Sequence, residues 1–235
     1  MIRSLMLAAG LALLTISSVQ AASRSYDTSS FSEVSVSSGI SAIIEVGKPQ
    51  AISAEATTDA LLDRLDVHVR DNKLEVGFKW DVLDWLFTFG QTRAVTLHIS
   101  APELSAVESS AGANVDARAV NGSNLRFGVS SGASLSADTI RAEHLTLDSS
   151  SGGNLTISGT CDKLIANSSS GGNIAARALD CADVNANASS GGHADVSAMQ
   201  SINANASSGG GITIHGKPTQ TTINSSSGGS AAFAN

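Results

Sequence analysis

A Ser-Ser-Gly phrase, Ser-Ala-Gly in its first instance, recurs with its glycine at Gly112, Gly132, Gly152, Gly171, Gly191, Gly209 and Gly228. The intervals stay between 18 and 20 residues. A period held that tightly over half a chain marks a structural repeat whose units stack on one another.

Aligning the repeats on that glycine separates the other positions into columns. Three and five residues after it stand pairs such as Val115 and Ala117, Leu155 and Ile157, or Ile212 and Ile214, with Asp116, Thr156 or Thr213 between them. Seven and five residues before it stand Leu125 and Phe127, Leu145 and Leu147, Leu164 and Ala166, or Ile202 and Ala204. Alternation with period two predicts strands with one buried face. Two short strands per repeat cannot bury their faces alone, but stacked repeats can. The expected fold is therefore all-β, a parallel β-helix or solenoid of about seven coils of 18–20 residues. Like side chains are then laddered about 4.8 Å apart. A narrow interior fits a chain that is 42% hydrophobic but only 4% aromatic. The repeated phrase becomes the corner, where glycine accepts positive φ and serine hydroxyls bond free backbone groups.

The remaining segments divide the chain. Residues 1–21 read as a signal peptide: Arg3, an apolar run from Leu5 to Ile16, then Val19 and Ala21 ahead of a cut after Ala21. Nothing after that leader is a transmembrane segment, so the expected location is outside the cytoplasm, periplasmic or secreted to the cell surface. Residues 24–100 are expected to form an N-terminal β domain, with "TTDALLDRL" as a short helix or helical turn. Its own "SSGI" at residues 37–40 echoes the repeat, so it continues or caps the solenoid formed by residues 101–235. An aromatic loop at 78–90 gathers Phe78, Trp80, Trp85, Phe87 and Phe89. Such a cluster is either a contact surface or a plug for the solenoid end. Cys161 and Cys181 stand one coil apart, close enough for a disulfide. Their registers differ by one residue, which keeps two buried thiols open as the alternative.

Charge and motif chemistry narrow the function. A net charge of −7 with no Lys/Arg cluster excludes nucleic acid as the main partner. "GVSSG" at 128–132 fits a nucleophile elbow, but no helix pattern follows it. The glycine pairs lack the carboxylates of calcium-binding β-rolls, and neither a metal nor a cofactor is expected. His68 and His98 could face each other on neighbouring strands, but without a third ligand a surface or half-buried pair is the expectation. Asp162, Asp180 and Asp183 around Cys181 are the acids that a polysaccharide-cleaving β-helix would need to bring into one groove. That enzyme is the alternative to a non-enzymatic module.

The order "FSEVSVSSGISAIIEVGKPQAISAEA", "LLDRLDVHVRDNKLEVGF", "VTLHISAPELSAVESSAGANV", then Ser-Gly repeats ending in "GITIHGKP" and "SSSGGS", resembles the auto-transporter adhesin head (GIN domain) family. The resemblance implies an exported β-helical protein and brings no catalytic residues. No C-terminal run of long alternating strands supplies a membrane barrel. The expected role is a cell-envelope or adhesin-like binding module whose partner is a glycan or an envelope or surface protein. The expected binding residues are Ser150, Ser169, Ser189 and Ser207 with Asn167, Asn187 and Asn205, and second Trp80, Trp85 and Phe87. Oligomerisation through the solenoid ends is expected as well.

Overall fold

The computed structural model describes residues 22–79 and 94–234, which leaves the leader and Trp80, Trp85 and Phe87 outside the described residues. Of the described residues, 67% lie in strands and 3% in helix, as the period-two columns require. It opens with β1 (Ala22–Ser25), followed by β2 (Glu33–Val36) and β3 (Ser41–Val46), which flank a corner at Ser38 and Gly39. An insertion follows: β4 (Ala51–Ala56), the short helix α1 (Asp59–Asp63), β5 (Leu65–Arg70), β6 (Lys73–Phe78) and β7 (Val95–Ala101). The coil then resumes with β8 (Ala106–Ser109), β9 (Asn114–Arg118) and β10 (Asn121–Val129). The long strands β11 (Ser134–Ser149), β12 (Asn154–Ser168), β13 (Asn173–Ala188) and β14 (His193–Ala206) come next, then β15 (Gly211–Gly216), β16 (Gln220–Ser225) and β17 (Ser230–Phe233).

Two parallel walls meet at the corners. Before each corner, β6, β2, β8 and β10 lead into the second halves of β11 to β14 and then β16. After each corner, β7, β3 and β9 lead into the first halves of β11 to β14, then β15 and β17. The early "SSGI" is thus the corner of the first coil, and the insertion follows that coil in the chain but stacks on its far side, so that β2 and β3 pair directly with β8 and β9 of the second. One continuous core runs from Phe31 to Ile214 across residue 100. Phe78 belongs to it, as the last residue of β6.

The solenoid has about six turns rather than seven. Each long strand also joins the second strand of one repeat to the first of the next. The bend away from the corner uses no fixed residue type: positive φ falls on Ala119 between β9 and β10, Thr139 in β11, Gly159 in β12 and Gly216 at the end of β15. At the N-terminal end the two walls are extended by antiparallel pairing of β5 on β6, β4 on β7 and β1 on β4. α1 seats Leu62 in the core there. β1 and β5 each pair on one side only among the described residues, so they form the sheet edges at this end.

Cys161 and Cys181 form a disulfide with a Cα separation of 4.5 Å. The one-residue mismatch in sequence is absorbed locally. Thr156 pairs with Ala175 but Ser158 pairs with Ala178, so β13 carries one extra residue and Cys161 comes opposite Cys181. His68 and His98 do not face each other: His68 pairs with Glu75 on the wall before the corners, and His98 with Ile43 and Ser53 on the other. The antiparallel insertion, which the repeat columns do not reach, separates them.

Candidate binding face

The corner is built from two consecutive left-handed residues. Ser151 and Gly152 have φ of 50° and 73°, Ser170 and Gly171 of 49° and 73°, and Ser190 and Gly191 of 50° and 72°. Two such angles in succession define a type I′ turn, and the Gly153 N–H closes it on the Ser150 carbonyl at 2.9 Å. Left-handed serine is unfavourable alone. It is held here because corners bond to corners: Gly132, Gly152, Gly171 and Gly191 donate to the carbonyls of Ser151, Ser170, Ser190 and Ser208 in the next coil.

The serine before the turn points inward. Ser149 and Ser168 are buried and donate to the carbonyls of Gly153 and Gly172 at 2.8 and 2.7 Å. Buried hydroxyls need such partners, and among the described residues no buried side-chain nitrogen or oxygen lacks one. The second glycine of the phrase is a close approach: a Cβ on Gly172 would stand 2.5 Å from the Ser149 carbonyl oxygen. The expected binding serines Ser150, Ser169, Ser189 and Ser207 are half-buried at the first turn position. No side-chain hydrogen bond engages their hydroxyls among the described residues.

Beside them the asparagines form a continuous ladder. Asn167 donates to Asp148 at 3.0 Å, Asn187 to Asn167 at 2.9 Å, Asn205 to Asn187 at 3.1 Å and Asn224 to Asn205 at 2.9 Å. Arg126 donates to the same Asp148 from the other side at 3.1 Å. Each amide gives one N–H to the ladder and retains a second. The column staples coil to coil and still presents a polar rail. Further toward the N-terminal end, Lys73 reaches Glu108 at 3.1 Å and Glu33 at 3.7 Å. The hydrogen bond to Glu108 raises the Lys73 ammonium above its ordinary value.

On the same wall, away from the corner, lies a groove of about 450 Å³. Two outward columns form it. Thr146, Ile165, Asn185, Asn203 and Thr222 stand six residues before each corner glycine, and His144, Lys163, Asp183, Ser201 and Gln220 stand eight before. Parallel pairing stacks these positions in register from β11 to β16. Ile165 is 45% exposed in the middle of the groove. Asn185, Asn203 and Thr222 make no side-chain hydrogen bond among the described residues, unlike the asparagines of the adjoining ladder. The alignment treats position six only as the outward residue between two buried ones. Its signal was the run of amides and hydroxyls broken by one isoleucine.

The acids around Cys181 do not share a recess. Asp183 lines the groove and accepts from Ser201 at 2.6 Å. Asp162 lines a separate recess with Arg141 and Glu143, and Asp180 accepts from Ser197 at 3.1 Å. His68 bonds Asp66 and Glu75 at 3.3 and 2.9 Å, and His215 bonds Asp195 at 2.5 Å on the other wall. No group of three such side chains is placed to hold a metal among the described residues.

Comparison with known proteins matches residues 30–218 to the family described as "Putative auto-transporter adhesin, head GIN domain". A Bacteroides fragilis protein described as "a putative adhesin" superposes with a TM-score of 0.77 at 19% identity, over 92% of this chain and 98% of that one. A Parabacteroides distasonis protein described as "Putative lipid binding protein" gives 0.66 at 17% identity, over 93% and 98%. A Parabacteroides merdae "putative adhesin" gives 0.62 at 15% identity, over 93% and 98%. At these identities the likeness is one of fold. No curated protein matches the chain.

Proposed function

The chain belongs to the auto-transporter adhesin head (GIN domain) family, and from that membership we propose that it is an exported, non-catalytic, adhesin-like binding module of the bacterial cell envelope or surface. The observation that carries this reading is the wall before the corners. There one set of polar side chains is laid down once per coil, from Asp148 to Asn224, by a hydrogen-bonded stack. A rigid face with a repeat of about 4.8 Å suits many weak contacts to an extended partner. The corner serines and the ladder asparagines form one rim of that face, and the residues around Trp80, Trp85 and Phe87 are a second contact. The disulfide between Cys161 and Cys181 agrees with an oxidising compartment. Catalysis by paired acids has no support from positions that open onto different recesses.

Labelled full chain added to intact cells and isolated envelopes tests the reading, with fractionation of the producing cells alongside. Saturable binding displaced by unlabelled protein, with the native chain in periplasm, surface or medium, is the expected result. A cytoplasmic chain, or non-saturable attachment, overturns it.

A further inference from the structure

We propose that the groove formed by the columns six and eight residues before the corner glycines binds a neutral, hydroxyl-rich polymer, a glycan strand lying along the stacking direction. The inference rests on the reading of the chain as a binding module and adds the ligand class.

Five observations converge. From β11 to β14 the floor is the interior of a parallel sheet, whose backbone donors and acceptors are already used between neighbouring coils, and a sheet edge is left only at its end, on β16. Recognition over β11 to β14 must therefore come from side chains, because strand addition needs a free sheet edge. The side chains present both donors and acceptors: Asn185, Asn203 and Thr222 are exposed and unbonded among the described residues, although the next asparagine column is fully laddered. A sugar hydroxyl both donates and accepts, which matches amides and hydroxyls and does not require charge.

Ile165, 45% exposed, gives an apolar spot on an otherwise polar floor, suited to the C–H face of a sugar ring. The charges of the groove oppose each other, since Lys163 and Asp183 are register partners in adjacent coils. A strongly anionic or cationic polymer would meet one of them unfavourably. The volume of about 450 Å³ lies in the range of small-molecule sites and is laid across several coils. Bound length, rather than one deep subsite, then sets affinity.

Binding of the full chain to neutral hexasaccharides of glucose, mannose and N-acetylglucosamine tests this. The comparison probes are an oligogalacturonate, a chitosan oligomer and phosphatidylcholine vesicles. At least one neutral hexasaccharide is expected to bind saturably, more tightly than its disaccharide. Asn203→Asp and Ile165→Asp, both exposed positions, weaken that binding at least about tenfold with an unchanged melting temperature. Thr156→Lys, on the outer face of the other wall, leaves it unchanged. Neutral binding that survives both groove substitutions removes the site. Binding only to the charged polymers or to vesicles removes the ligand class. A chain that holds envelopes but no neutral glycan also overturns this inference while the binding-module reading stands, whereas loss of envelope binding removes both.

Discussion

Gly171 and Gly172 are adjacent, yet glycine is required at each for a different physical reason. Gly171 has a φ of 73° with open space around it, so a methyl group there meets only the left-handed backbone penalty. Gly172 has its would-be Cβ 2.5 Å from a carbonyl oxygen of the preceding coil, so a methyl group forces two coils apart. Gly171→Ala is therefore expected to cost about 1 kcal/mol and Gly172→Ala about 2–3 kcal/mol, measured by urea denaturation. The reverse order contradicts the close-approach assignment. The two asparagine columns separate in the same way. Asn187→Ala breaks the ladder on both sides and should cost about 1 kcal/mol. Asn203→Ala should change stability by less than about 0.5 kcal/mol while weakening ligand binding. The corner and the ladder are legible in the sequence because the same residue recurs at the same offset from glycine. The groove is not, because its column changes from threonine to isoleucine to asparagine and shares only an outward direction.

At the scale of elements, the walls and their registers follow from the columns, but the second bend does not. It falls in the middle of β11 to β14 and is made by Thr139 in one coil and Gly159 in the next, so no residue type announces it. The extra residue in β13 belongs to the same class of hidden feature. Spacing alone leaves Cys161 and Cys181 one residue out of register, and only the local bulge aligns them. The bridge closes a loop of 20 residues. Cys161→Ala with Cys181→Ala, or full reduction, is expected to lower stability by about 3 kcal/mol. Equal denaturation midpoints with and without reductant would contradict a structural role for the bond. The antiparallel insertion that follows the first coil in the chain is likewise outside the reach of periodicity. Its strands alternate as solenoid strands do, and their direction is set by the chain turning back on itself.

For the whole molecule, stability is a sum over coil interfaces, so local opening should be graded along the stack. β11 to β14 each lie between two coils, whereas β16 and β17 pair on one side only among the described residues and are largely exposed. Native-state hydrogen exchange should therefore be slowest within residues 154–188 and fastest within 220–233, and uniform protection would contradict a stack of semi-independent units. A rod of this kind offers a partner its faces as well as its ends, where β1, β5, β16 and β17 pair on one side only among the described residues. Of those faces, the wall before the corners alone combines the laddered rail with the unbonded amides of Asn185 and Asn203. Titration of the ¹⁵N-labelled full chain with the neutral hexasaccharides, following side-chain amide resonances, tests that assignment most directly. The account predicts that the Asn185 and Asn203 signals shift first and saturate together, with smaller shifts at Asn167 and Asn187 on the rail. Saturating shifts confined to the opposite wall around Thr156 and Thr213, or none on either wall, would contradict it.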